Sequence, residues 1–192
     1  MTALDQTVFL WLNLGPQTPS SVLNLALFAT QYLPHWLVAT SLTVALVGRQ
    51  GWRGQAWRVL ASIALAVLLA HWIKQAVQIP RPFTLGLGIQ WLPHGKSAGF
   101  PSSHAAMAMA FAASACLAPM PWAMRALLLG AALLLSWSRI ALGLHFPSDV
   151  LAAWCVGAAS ACAVQALAHA FIQRIRRSTR MAATNGSTQI VH

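Results

Sequence analysis

The sequence predicts an all-α integral membrane protein with about five transmembrane helices and an N-terminal interfacial amphipathic helix. Three observations carry that expectation. Of 192 residues, 12 are Lys or Arg and 2 are Asp or Glu, so charged residues make up 7% of the chain, against roughly 25% in soluble domains. Apolar residues make up 58%, and the mean hydropathy is +0.63. The apolar residues also come in long runs, with Pro, Gly and Arg concentrated between them, as in chains that cross a bilayer repeatedly. A soluble enzyme could not cover its surface with so few charges, and a disordered chain would be poorer in apolar residues.

The elements follow in order. Residues 3–14 place Leu4, Val8, Trp11 and Leu12 at helical spacing, with Asp5, Gln6 and Asn13 elsewhere. They are too short to span and read as an interfacial helix, ended by Gly15-Pro16. Residues 20–48 are apolar but interrupted by Gln31 and Pro34. They make either one tilted, kinked helix or an interfacial piece followed by a span. A basic loop at 49–58 precedes a second span at about 56–79. Residues 80–101 are rich in Pro and Gly and form a loop. A third span at about 102–118 is rich in Ala and Ser, which suits close helix packing. Pro119 and Pro121 mark a turn before a fourth span at about 122–142. A fifth covers about 148–172. Residues 1–173 thus form a single membrane domain, and 174–192 form a basic tail expected to be disordered.

The basic residues orient this layout. One side collects Arg49, Arg53, Arg58, Arg125 and the tail residues Arg174, Arg176, Arg177 and Arg180; the other holds Lys74, Arg81, Lys96 and Arg139. The positive-inside rule makes the first side cytoplasmic. Trp52, Trp57 and Trp122 then fit an inner aromatic belt, and Trp11, Trp72, Trp91 and Trp137 an outer one. The net charge of +10 is spread among loops instead of gathered into one soluble basic patch, so no nucleic-acid partner is expected. No obligatory protein partner is inferred. Cys116, Cys155 and Cys162 lie within apolar runs and read as small apolar filler, not a disulfide framework.

Most polar residues within or bordering the spans fall on the outer side, in three clusters. They are Lys74 with Arg81-Pro82, Pro101-Ser102-Ser103-His104, and Ser138-Arg139 with His145 and Asp149. Ionisable residues are costly in a membrane and are functional candidates for that reason. Lys74, Arg81 and Arg139 would bind a polyanion, Arg forks being suited to phosphate oxygens. Pro101 and Pro147 are each placed to begin a helix in its first turn. The Pro101 helix would offer free backbone N–H groups around Ser102, Ser103 and His104. Asp149, four residues after His145, can take one ring N–H and leave the other nitrogen free to attack phosphorus. His104 can serve as general acid. Asp5 and Asp149 are the only acidic residues, too few for a magnesium or calcium site. Metal-free phosphoryl transfer through a phosphohistidine is expected, with no cofactor.

Lys-x6-Arg-Pro, Pro-Ser-x-His and Ser-Arg-x5-His-x3-Asp, in this order and spacing, resemble the three signature motifs of the type 2 phosphatidic acid phosphatase superfamily. The resemblance implies phosphate binding by Lys74, Arg81, Arg139 and Ser102, with Ser103 alongside. It further implies a general acid at His104, a nucleophile at His145 and an orienting Asp149. Ser103 stands where the family commonly has Gly, which leaves the backbone N–H in place. Chain size, the N-terminal helix, Arg81-Pro82-Phe83 and Phe100-Pro101-Ser102 are similar to bacterial undecaprenyl-diphosphatases of the bacitracin-resistance type. That likeness implies hydrolysis of undecaprenyl diphosphate at the periplasmic face of the bacterial inner membrane, with a role in carrier-lipid recycling. A phosphatase or phosphotransferase acting on phosphatidylglycerol phosphate, phosphatidic acid or lipid A is the enzymatic alternative. A haem-binding protein using His104 and His145, or a purely structural membrane protein, is the non-enzymatic one. His35 and His71 fit no motif and read as structural or interfacial. His94 and Lys96 read as a solvated outer loop.

Overall fold

The structure, a computed structural model, describes residues 2–95 and 97–188. Among the described residues every regular element is helical: α1 (Ala3–Leu12), α2 (Ser20–Gln31), α3 (Leu33–Val47), α4 (Gln50–Val77), a 3-10 turn (Pro82–Leu85), α5 (Ser103–Cys116), α6 (Trp122–Ala141) and α7 (Pro147–Thr188). The stretches Gln50–Leu85, Trp122–Ala141 and Pro147–Thr179 are long and apolar enough to cross a membrane, and α3 and α5 are shorter apolar helices. Large apolar side chains such as Leu68, Leu127, Leu151, Leu167 and Phe171 point outward, as a hydrocarbon surround permits. This is an all-α integral membrane fold.

The stretch at 20–48 resolves into two helices broken at Tyr32. Pro34 has no N–H to give the carbonyl of Thr30, one turn earlier, so the helical ladder is interrupted there. The α3 helix ends at Gly48, whose N–H caps the carbonyl of Val44 at 3.0 Å. The α4 helix ends at Gln78 in a left-handed conformation (φ 49°), just before Pro80. Lys74 is therefore in the last turn of α4, where a cation meets the negative end of the helix dipole. The backbone of α7 remains helical beyond 173 through the tail arginines to Thr188, where disorder was expected. No Gly or Pro interrupts that stretch before Gly186.

The central helix is α5. Its buried face is almost entirely alanine, with Ala105, Ala106, Ala108, Ala110, Ala112 and Ala115 all buried. Such small side chains let α4, α6 and α7 approach its backbone closely. One close approach is at Gly157 of α7, where a Cβ would stand 2.5 Å from the carbonyl oxygen of Ala106 and 2.8 Å from the nitrogen of Ala110.

The α1 helix turns a different face inward from the one its apolar spacing suggests. Asp5 and Phe9 are buried, while Leu4 and Trp11 are exposed. Phe9 packs on Phe146 with ring centroids 5.3 Å apart. The reason is polar: Asn13 donates to the carbonyls of Ile89 and Ala141, both at 3.0 Å, and accepts from the N–H of Ile89 at 2.7 Å. Trp91, expected in an aromatic belt, instead donates its indole N–H to the carbonyl of Leu14 at 2.7 Å. These bonds clamp the 80–101 loop onto the end of the bundle that carries the motifs.

Substitution at Gly157 should force α5 and α7 apart. Gly157→Ala should lower the thermal unfolding midpoint, and Gly157→Val should lower it further, a cost of about 1–3 kcal/mol being typical of overpacking. Intrinsic fluorescence of purified protein would read both.

Candidate active site

The three motif clusters meet at one end of the bundle, at the C-terminal ends of α4 and α6 and the N-terminal ends of α5 and α7. The last motif is shaped by a helix end. After α6, Gly143 adopts a left-handed conformation (φ 78°), and a Cβ there would collide with the carbonyl of Ile89. The reversal lets the carbonyl of Arg139 accept from the N–H of Leu144 at 3.1 Å and of His145 at 3.2 Å. Pro147 then starts α7, as its fixed φ favours. Asp149, in the first turn, reaches back to accept from the N–H of Phe146 at 2.9 Å, a carboxylate closing the helix start. Five residues between Arg139 and His145, and three between His145 and Asp149, are what this helix–reversal–helix path requires.

His145 is held from both sides. Its Nδ1 lies 3.3 Å from Oδ2 of Asp149. Its Nε2 lies 3.0 Å from Nη1 of Arg81. A guanidinium only donates, so Nε2 carries the lone pair and Nδ1 carries the proton toward Asp149. Burial, then the nearby Arg139, Arg81, Lys74 and His104, holds the imidazole well below its ordinary pKa. Neutral His145 with an unprotonated Nε2 is the form a nucleophile needs.

Arg81 is 2% exposed and makes no ion pair with a carboxylate among the described residues. Neutral acceptors satisfy it: the carbonyl of Ser97 at 2.8 Å and that of Leu144 at 3.0 Å, besides His145. Arg139 is equally buried. His104 and Arg139 line one cavity of about 340 Å³, with Thr30, His35 and His94 on its other walls. Lys74 is half-buried, within electrostatic reach of Arg81, Asp149 and Arg139. Ser102 is the N-cap of α5, but its hydroxyl makes no capping bond. Ser103 is the first residue of α5 and is half-buried. Pro101 thus precedes the cap and does not occupy the first turn as expected. The reason is that Ser102 is extended (φ −71°, ψ 109°), its N–H donating to the carbonyl of Asp149 at 3.1 Å.

Among the described residues, three buried side-chain polar atoms have no partner: Oγ of Ser102, Nε of Arg139 and Oδ1 of Asp149. All belong to the motifs. Orphaned buried donors are costly unless a ligand completes them, and a phosphate would take the Ser102 hydroxyl and the Arg139 N–H. Among the described residues no three potential metal ligands from His, Cys, Asp and Glu stand together.

Several participants were not evident from the sequence. Asp5 accepts from the N–H of Ser148 at 3.0 Å and its hydroxyl at 2.7 Å, fixing the first turn of α7 beside Asp149. Ser138 donates to the carbonyl of Leu135 at 2.7 Å, so Thr30 must be the donor in their 2.6 Å bond; Ser138 ties α2 to α6. His35, read as structural, and His94, read as a solvated loop residue, line the cavity with His104. Ser138 belongs to the third motif; the signal for the others was weak, because each lies outside any motif. Lys96 lies outside the described residues.

The class defined by this fold is a helical integral membrane protein with a buried cluster of histidine and arginine at one end. Residues 55–173 match the family model described as PAP2 superfamily, and the chain belongs to that superfamily of lipid phosphatases. It is 26% identical to the Escherichia coli (strain K12) protein named "Putative undecaprenyl-diphosphatase YbjG", over 90% of this chain and 89% of that one. Aquifex aeolicus LpxE superposes with a TM-score of 0.68 at 22% identity, covering 85% of this chain and 96% of that chain. A transmembrane PAP2-type phosphatidylglycerolphosphate phosphatase from Bacillus subtilis gives 0.65 at 18% identity, covering 87% and 85%. The two structures establish likeness of fold.

The electrostatics make a pH prediction. Because cations lower the His145 pKa, removing one should raise it. The acid limb of the kcat/KM profile should move to higher pH in Arg139→Gln relative to wild type. Comparing the two profiles on one substrate cancels the substrate's own ionisation. A second expectation concerns Asp5: Asp5→Ala should lower kcat with KM little changed, since Asp5 supports α7 without touching the pocket.

Proposed function

We propose that this chain hydrolyses a lipid-linked phosphate, with undecaprenyl diphosphate as substrate and undecaprenyl phosphate and inorganic phosphate as products. The observation that carries the reading is the unprotonated Nε2 of His145, backed by Asp149 and surrounded by Lys74, Arg81 and Arg139. In the proposed step the terminal phosphate draws Arg81 off Nε2 and takes the unpartnered donors of Ser102 and Arg139. Nε2 attacks phosphorus, the bond to the bridging oxygen breaks, and His104 protonates that oxygen. Water then attacks the phosphohistidine, giving its proton to His104, and the P–N bond breaks to release phosphate. Cations and the first N–H groups of α5 stabilise the charge on the transferring group. No metal ion takes part in this scheme.

The substrate assignment is supported by the E. coli relative's name and by its match across nearly the whole of both chains. The positive-inside rule supports a pocket facing the periplasm from the bacterial inner membrane, since Arg49, Arg53, Arg58 and Arg125 lie at the opposite ends of the helices. A phosphatase for phosphatidylglycerol phosphate is the second reading, favoured by likeness of fold to the B. subtilis enzyme.

Phosphate release by detergent-purified protein in EDTA tests this directly. Undecaprenyl diphosphate should be preferred over phosphatidylglycerol phosphate and phosphatidic acid. His145→Ala should reduce turnover to background; wild-type rates in that variant would overturn the nucleophile assignment, and loss of activity on chelation, restored by metal, the metal-free scheme. His104→Ala should slow a phosphate monoester more than the diphosphate, whose leaving oxygen belongs to a phosphate and needs less help from an acid.

A further inference from the structure

At the opposite end of the bundle, α4 and α7 part around a larger cavity of about 930 Å³. Its walls are one face of α4, with Gly51, Gly54 and Arg58, and one face of α7, with Gln165, His169 and Gln173. These spacings keep each set on a single side of its helix. The opening is widened where α4 lacks a side chain at two positions: a Cβ at Gly51 or Gly54 would meet nothing within 4 Å.

The depth of this cavity is positively charged and built. Nη1 of Arg58 donates to Oε1 of Gln55 at 3.5 Å and of Gln165 at 3.3 Å. Both amides are turned that way by Ser114, which accepts from Gln55 at its carbonyl (2.6 Å) and from Gln165 at its hydroxyl (3.2 Å). Among the described residues Nε and Nη2 of Arg58 make no hydrogen bond, leaving the side of the guanidinium that can fork onto two phosphate oxygens. Arg125 donates to the carbonyl of Ala118, a wall residue of the cavity, at 3.4 Å. The chain has only two acidic side chains, Asp5 and Asp149, and both lie at the other end. No Asp or Glu side chain of this protein can therefore balance Arg58.

A second feature adjoins the first. An apolar slot of about 280 Å³ between α3, α4, α5 and α6 is lined by Val44, Val59 and Phe111 and shares Trp52, Gln55 and Ala118 with the cavity. A cationic chamber that shares wall residues with an apolar slot fits an amphiphile with an anionic head. Basic pockets between transmembrane helices hold such headgroups. We infer that this cavity is a binding site for an anionic phospholipid of the leaflet at the basic end, with its phosphate on Arg58 and an acyl chain in the slot. This site contains none of the motif residues and is separate from the candidate active site.

Native mass spectrometry of the full chain in a nonionic detergent, with phosphatidylglycerol and phosphatidylcholine offered together, tests the inference without reference to catalysis. Phosphatidylglycerol should be retained in preference. Arg58→Gln should weaken that retention roughly fivefold, the effect of one basic residue near an anionic lipid. Gly54→Leu, whose Cβ would meet nothing within 4 Å, should abolish it while leaving the thermal unfolding midpoint at or above that of wild type. Equal retention of the two lipids, or unchanged phosphatidylglycerol retention in both variants, would overturn the site. Displacement of the lipid by equimolar inorganic phosphate would overturn the lipid assignment.

Discussion

The motif-bearing end of this protein depends on a buried guanidinium that makes no ion pair with a carboxylate among the described residues. Burying an unpaired charge is expensive, and Arg81 is almost fully buried. The surrounding structure meets that cost with two backbone carbonyls and the lone pair of His145. One arrangement therefore does two things. It orders the 80–101 loop through Ser97 and the α6–α7 connection through Leu144, and it fixes which nitrogen of His145 carries the proton. A carboxylate beside Arg81 would satisfy the charge better but would compete with a phosphate for it.

The scaffold around that contact is made stiff by small residues and by backbone bonding. The alanine face of α5 brings three helices close to its axis, and the residues that matter sit at the ends of those helices. Asn13 and Asp5 then fasten α1 across the same end, one to the 80–101 loop and the end of α6, the other to the start of α7. Side chains placed on rigid elements and supported by a second layer hold their geometry more closely than side chains on free loops. The pocket is assembled from loops, but each loop is tied to a helix end.

The two ends of the molecule use positive charge differently. At the motif end the cations are buried and bonded to neutral groups, with unpartnered donors on Ser102 and Arg139. At the other end most arginines are exposed, as expected of loop charges that set orientation, and Arg58 alone is drawn between helices onto two glutamines. The two acidic residues of the chain both lie at the motif end and are engaged there with His145 and the start of α7, so a further anion at either end must come from outside. That scarcity of carboxylates unites the phosphate chemistry proposed at one end with the lipid site proposed at the other.

Sequence alone determined what depends on local spacing. Hydropathy runs located the helices, because crossing a bilayer takes a fixed length of apolar helix. The Arg139–His145–Asp149 relation was legible because one helix end, one reversal and one helix start generate it within a single short segment. Tertiary structure decided which distant backbone groups needed partners. The pairing of Asp5 with Ser148, the clamp of Asn13 on Ile89 and Ala141, and the carbonyls around Arg81 all join segments far apart in the chain. Helical periodicity marked Asp5 and Asn13 as the polar side of an interfacial helix; packing turned them inward because unpaired polar groups on the loop and on α6 and α7 lay there. The break at Tyr32 was written locally in Pro34, but the places of His35 and of His94 in the cavity wall have the same tertiary origin. Each depends on what a neighbouring helix leaves exposed, which no local pattern records.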